Sequence, residues 1–205
     1  HKIPDSLGFE QAIFCEPLSI AMHAITRMTA TARKRAAVIG AGPIGLALLI
    51  ALKELFEEVL VFEVLENRKV AANAIGADHV YDSVGERYPH EDVDVVFDAV
   101  SIPSTATLTE QIVRRGGEVI VVGMAKPDAG FRLLPILKKE LSIRGTRMTR
   151  PEDFTAALQL LERTDPRAIE AVITGYWPLA DSIQAIRHAE THADACIKEV
   201  LDCRR

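Results

Sequence analysis

The sequence predicts an α/β fold, a doubly wound six-stranded parallel sheet, from three observations. Short β-branched runs alternate with amphipathic segments of helical length along most of the chain. Most of those runs are apolar on both faces, as strands covered by helices on both sides must be. A glycine-rich turn, Gly40-Ala41-Gly42-Pro43-Ile44-Gly45, follows the first run and opens a helix. Repeated βα units of this kind close into a parallel sheet with right-handed crossovers.

Residues 9–27 read as two helices broken at Pro17, the lead-in segment of residues 1–30. The stretch 29–35 (TATARKR) reads as an exposed linker with a solvated basic triplet. Strands are expected at 36–39, 59–62, 79–81, 93–97, 118–122 and 141–144, and helices at 43–55, 66–75, 104–113 and 133–139. Together they form a domain over residues 31–150. The remaining residues, 151–205, read as a helix at 151–162, a turn, a helix at 179–189 and a return strand at 197–201. The uncharged run 36–52 approaches the length of a membrane span, but Gly40, Gly42, Pro43 and Gly45 interrupt it.

The 205 residues carry 24 Lys and Arg against 29 Asp and Glu, a formal charge of −5, and 48% of them are hydrophobic. That composition suits one good core and excludes disorder. Affinity for phosphate backbones or anionic lipid needs clustered cations, so nucleic acid and membrane surfaces are not expected partners. Three cysteines, Cys15, Cys196 and Cys203, show no close metal-binding spacing and fit a reducing, cytoplasmic setting. The chain opens at His1 with no secretory pattern, and the expectation is of an internal boundary or a processed start.

Three glycines at GxGxxG spacing are a weak signal alone, and their place between a strand and a helix strengthens it. Gly40 permits the tight turn, Gly42 lets a pyrophosphate approach the backbone, and Gly45 lets helix and strand pack closely. Pro43 suits the first helical turn, and the helix start at Ile44 offers free N–H groups to an anion. An acid about 20 residues on is required to bind the ribose hydroxyls, and Glu63 closes the second strand at that place. Its charge would repel the extra phosphate of NADP, which argues for NAD. Arg68 lies within reach of the adenosine edge and reads equally well as a surface arginine. His188 and His192 share a helix face but have no obvious third ligand, so they read as solvated.

With these residues stand CEPLSIAMH at 15–23, AIGAD at 74–78, VVFDA at 95–99, GGEVIVVGM at 116–124, KELSIRG at 139–145 and WPLAD at 177–181. Together they resemble the zinc-type medium-chain alcohol dehydrogenases, in the branch of sorbitol, threonine and sugar-acid dehydrogenases, across essentially the whole chain. The resemblance implies a Rossmann domain and hydride transfer from a secondary alcohol (a polyol, sugar acid or amino alcohol) to NAD. It also implies a GroES-like catalytic domain ahead of His1 that carries the zinc ligands.

Within this chain the resemblance leaves Glu16 as a stranded candidate zinc residue, with Cys15 packing beside it as a small hydrophobe. No catalytic set is complete, so this chain alone is expected neither to oxidise alcohols nor to retain stoichiometric zinc. Gly123 and Met124, ending the fifth strand, are expected on the nicotinamide side. A homodimer is expected through the edge strand from Leu141 to Arg144, since the family joins last strands about a twofold axis. The alternatives are a non-catalytic NAD-binding or oligomerisation module and an NADPH-dependent quinone-reductase-like relative. Departures from the family pattern fall at Arg33-Lys34, at Phe56-Glu57 and at Ser101, where a glycine is usual.

Overall fold

The computed structural model describes residues 1–84, 88–125, 127 and 129–204. Six strands, β1 (Arg35–Ile39), β2 (Glu58–Glu63), β3 (His79–Asp82), β4 (Val93–Asp98), β5 (Val113–Val121) and β6 (Ser142–Gly145), pair in parallel in the order β3-β2-β1-β4-β5-β6. The order reverses between β1 and β4, which is where doubly wound sheets open a crevice at their carboxyl ends.

Alternate residues of the strands feed two separate cores. Ala36, Val38, Val59, Val61, Val95 and Phe97 face one side. Helices α2 (Cys15–Thr26), α3 (Pro43–Leu52) and α7 (Pro151–Leu161) cover that side, with α4 (Glu66–Ile75) contributing Ala71 and Ala72. Ala37, Ile39, Leu60, Phe62, Val93 and Val96 face the other, under α5 (Pro103–Ile112). Helix α6 (Leu133–Lys139) packs on β5 but buries no residue. Every residue of α3 from Gly45 to Leu52 is buried, because the helix is enclosed by the sheet, α2 and α4. No helix among the described residues is long and apolar enough to cross a membrane.

Several expected boundaries move. The short α1 (Phe9–Ala12) and α2 break at Ile13 and Phe14, not at Pro17. Pro17 lies in the first turn of α2, where a backbone N–H has no intrahelical acceptor, so the ring costs no hydrogen bond. Strand β5 starts at Val113 rather than 118, with Gly116 at φ +67° inside it and a register shift opposite Val93 and Val95. The C-terminal turn contains a further helix, α8 (Pro166–Glu170), and a further strand, β7 (Ile173–Pro178). The helix expected at 179–189 begins instead as a 3-10 turn and continues as α9 (Ser182–Thr191). Strand β7 pairs in parallel with β8 (Lys198–Asp202) as a separate two-stranded sheet. Gly175 and Pro178 punctuate β7 like a turn, and only its distant partner makes it a strand.

Buried carboxylates fasten the lead-in to the sheet. Glu118 on β5 accepts hydrogen bonds from Thr29 N (2.9 Å), Ala30 N (2.8 Å), the Thr29 hydroxyl and Arg144 of β6. The expected free linker is therefore anchored at its start, and Arg33 lies over the Phe56 ring at 5.4 Å. Asp94 accepts from Lys34 N, Arg35 N and Arg114. Buried His23 of α2 meets buried Asp153 of α7 at 2.9 Å.

Burial alone would raise the Glu118 pKa, but its hydrogen bonds from Thr29, Ala30 and Arg144 outweigh that and hold it below the ordinary carboxylate range. Replacing Glu118 with Ala leaves buried donors unpaired and is expected to cost about 3 kcal/mol in urea unfolding. Because the folded pKa is depressed, the Glu118 contribution is full above the unfolded value near ~4.3 and is lost as pH falls through the folded pKa. The wild type should therefore lose more stability than Glu118→Ala between about pH 5 and 3.

Candidate functional site

At the carboxyl ends of β1, β2 and β4 lies a cavity of about 230 Å³. Ile39, Gly40, Glu63, Arg68, Val100 and Thr105 are among its lining residues. It coincides with the sheet's switch in strand order, so topology places it where this fold takes ligands.

The three turn glycines serve three different needs. Gly40 has φ +89°, and a Cβ there would stand 2.3 Å from Val100 Cγ2. A Cβ on Gly45 would stand 1.8 Å from the Gly40 carbonyl oxygen, so α3 could not start over the strand end. Gly42 differs. Its φ of −70° suits any residue, and the nearest atom to a Cβ would be Arg68 Nη1 at 3.8 Å. The folded chain does not require glycine at 42, whereas a ligand approaching the backbone there would. Pro43 occupies the first position of α3, Ile44 the second, and no acidic side chain lies in that first turn.

Glu63 ends β2, and its carboxylate is buried, 5% exposed. Oε2 accepts from Ala41 N at 2.7 Å, and Oε1 from Val64 N at 2.7 Å and Leu65 N at 3.0 Å. Three of its roughly four acceptor positions are thus taken. That leaves one for a ligand hydroxyl, where the sequence suggested two. Arg68, in the first turn of α4, reaches back to Gly42, and its Nε is buried without a hydrogen-bond partner. No ion pair joins Arg68 to Glu63 among the described residues.

Other expected residues are not gathered here. A Cβ on Gly123 would stand 2.7 Å from the Val100 carbonyl carbon, so that glycine lets the end of β5 pass the loop after β4. Met124 is 96% exposed and does not line the cavity. Glu16 is exposed in the first turn of α2 and joins no group of three potential metal ligands among the described residues. The described residues of this chain do not by themselves complete a zinc centre around it. Cys15 is buried, its thiol pushed up in pKa by that burial, with Sγ 3.8 Å from the Phe154 carbonyl.

Asp98 and Thr105 were not assigned a role from sequence. Buried Asp98 accepts from Val100 N, Ser101 N and the Thr105 hydroxyl, holding the loop that walls the cavity. Ser101 adopts φ +59° there, the left-handed conformation that glycine takes without strain. The position of Asp98 at the end of a strand was the available signal. A larger apolar hollow of about 400 Å³ lies between α1 and the β7–β8 pair. Of its three charged neighbours, Arg204 pairs with both Glu10 at 3.6 Å and Asp202 at 2.9 Å, so it gathers no convergent donors.

Residues 43–163 match the family model described as zinc-binding dehydrogenase. The chain is 26% identical to D-xylulose reductase of Saccharomyces cerevisiae, covering 98% of this chain and 60% of that protein. It is 31% identical to (R,R)-butanediol dehydrogenase of Neisseria gonorrhoeae over 79% of this chain and 48% of that one. A solved structure described as a short chain alcohol dehydrogenase from Escherichia coli, complexed with NADH, superposes with a TM-score of 0.86 at 23% identity. That superposition covers 98% of this chain and 61% of the other. The chain thus spans about three fifths of the length of the first curated relatives it matches.

The unequal crowding of the glycines separates folding from binding. Gly45→Ala is expected to cost about 3 kcal/mol or more in thermal or urea unfolding, because backbone must move. Gly42→Ala should change stability by less than about 0.5 kcal/mol in the same measurement.

Proposed function

The chain belongs to the zinc-binding dehydrogenase family, and from that premise we propose that it is the NAD-binding portion of an alcohol or polyol dehydrogenase. The observation that carries the reading is the open space over Gly42, beside Arg68 Nη1 and next to Ala41, whose N–H Glu63 accepts. A backbone bare of Cβ, a helix start without acids and a guanidinium whose Nε has no hydrogen-bond partner suit a pyrophosphate. The cavity is smaller than the roughly 300–1,000 Å³ of a drug-sized ligand site, so it suits one end of a dinucleotide.

NAD, when bound, supplies the hydride acceptor. The residues of this chain bind and orient it. The N–H groups at the start of α3 and Arg68 meet the phosphates, and the remaining acceptor position of Glu63 takes a ribose hydroxyl. The loop held by Asp98 walls the adenosine end. The proposed substrate of the whole enzyme is a secondary alcohol of the polyol, sugar-acid or amino-alcohol class, in keeping with the oxidoreductases it resembles. Glu16 is assigned no zinc-dependent step. A cytoplasmic setting is supported by three cysteines that are all free.

Titration calorimetry tests the cofactor assignment. NAD is expected to bind about tenfold to a hundredfold tighter than NADP, because Glu63 repels a 2′-phosphate. Glu63→Gln should narrow that gap, and Gly42→Ala should weaken NAD at least about tenfold while the protein stays folded. Equal or tighter binding of NADP by the wild type would exclude the assignment.

The proposal extends to a homodimer joined through β6. That strand is one edge of the sheet, with its outer N–H and C=O groups open to a second copy. Beside it α6 exposes Leu133 (82%), Leu134 and Leu137 (75%). Light scattering should give twice the chain mass, and Ile143→Pro or Leu137→Glu should shift it to monomer with the circular dichroism unchanged. A monomeric wild type at micromolar concentration, or a dimer indifferent to both changes, refutes the contact.

A further inference from the structure

We propose that His188, Cys196 and Glu199 form a binding site for a divalent cation of the zinc class on the C-terminal segment. The three come from different pieces of chain: α9, the residues ahead of β8, and β8 itself. One donor atom from each lies within 4.8 Å of the others. Among the described residues this is the group of three or more such side chains that could hold a metal.

The surroundings make this more than a chance meeting. His188 Nδ1 is buried with no well-formed hydrogen bond and lies 3.4 Å from Glu199 Oε1. The long contact to Glu199 satisfies this buried nitrogen poorly, and a metal between the two groups would satisfy both. Glu199 Oε2 accepts from Trp177 Nε1 at 2.6 Å, which orients the carboxylate and leaves Oε1 toward the histidine. Ligand carboxylates are commonly held in this way. Gly175, opposite Glu199 in the β7–β8 ladder, makes the room: a Cβ there would stand 1.9 Å from Oε2. His192 stacks on His188 at 4.5 Å between centroids and meets the Thr191 hydroxyl at 2.8 Å, so it fixes the ring rather than joining the donors. Cys196 is a free thiol, 5% exposed.

The donor set is one imidazole nitrogen, one sulfur and one carboxylate oxygen. Zinc takes these at about 2.0–2.3 Å in a tetrahedron, which sets ligands roughly 3.3–3.8 Å apart. Closing from the present separations takes a side-chain adjustment of about 1 Å, leaving the fourth position to solvent. On binding, the Cys196 thiol proton passes to solvent, and the thiolate and carboxylate together balance the charge of the cation. The proposal departs from the expectation that this chain retains no zinc: it uses His188 alone of the two histidines, with Cys196 and Glu199 as the other donors.

Cobalt(II) is the probe, added to the full chain after chelator dialysis, in a Cys203→Ser background that removes the exposed competing thiol. One equivalent is expected to give a thiolate-to-metal charge-transfer band and visible bands of tetrahedral intensity. Both should be displaced by zinc, and quenching of Trp177, the only tryptophan, should saturate at the same stoichiometry. Cys196→Ser should abolish the charge-transfer band, and His188→Ala and Glu199→Gln should each weaken binding at least about tenfold. Cys15→Ser and His192→Gln should leave the spectrum unchanged. Absence of saturable binding, or a band that survives Cys196→Ser or is lost in Cys15→Ser, overturns the proposal. Folding of each variant is followed by circular dichroism, and Glu199→Gln, which keeps the thiol, decides the matter if Cys196→Ser does not fold.

Discussion

Close approach of two backbone segments at Gly40 and Gly45 governs this molecule. The carbonyl oxygen of Gly40 occupies the place where a side chain at 45 would begin, so α3 can start directly above the end of β1. From that contact follow the burial of α3 on every side and the packing of α2 and α7 beyond it. The same contact turns the N–H of Ala41 toward β2, where Glu63 receives it. The acid that faces the cavity is therefore also a latch between the first two βα units. A ligand hydroxyl would meet a carboxylate whose position is already set, a form of preorganisation that lowers the cost of binding.

The buried acids divide by purpose. Asp94, Glu118 and Asp153 meet donors from distant segments and Asp98 meets those of its own loop, and all four act as fasteners. Burying such carboxylates is tolerable because each is met by several backbone or cationic donors. Arg68 is the exception among the charged side chains of the cavity, since its Nε is buried and unmatched. Unsatisfied polar atoms are rare in folded proteins, which sets Arg68 apart from the paired acids around it.

A second center of polar chemistry sits on the small β7–β8 sheet. A two-stranded parallel pair has little stability of its own, and here it is supported by α8, α9 and the Trp177 to Glu199 hydrogen bond. Gly175 weakens the strand as an isolated element yet gives the carboxylate of Glu199 its seat. The cost in strand propensity is thus tied to a position where a side-chain acid and an indole must share space.

The sequence by itself determined the alternation of strands and helices, the glycine turn and the acid at 63, because each depends on residues close together in the chain. The unbroken burial of β1 and β2 after their first residues, and Pro43 at the start of a helix, are local consequences of side-chain pattern and backbone freedom. Only the tertiary structure decided which contacts join distant segments. His23 meets Asp153 across 130 residues and Glu118 captures Thr29 across 89. Strand β7 was invisible because its pairing partner, not its own composition, makes it extended. Pro17 was misleading for the opposite reason: a proline that breaks a helix in its interior is harmless in its first turn, and the start of α2 is set by packing. The exposure of Met124 and the isolation of Glu16 likewise follow from where whole elements come to rest, which no short motif records.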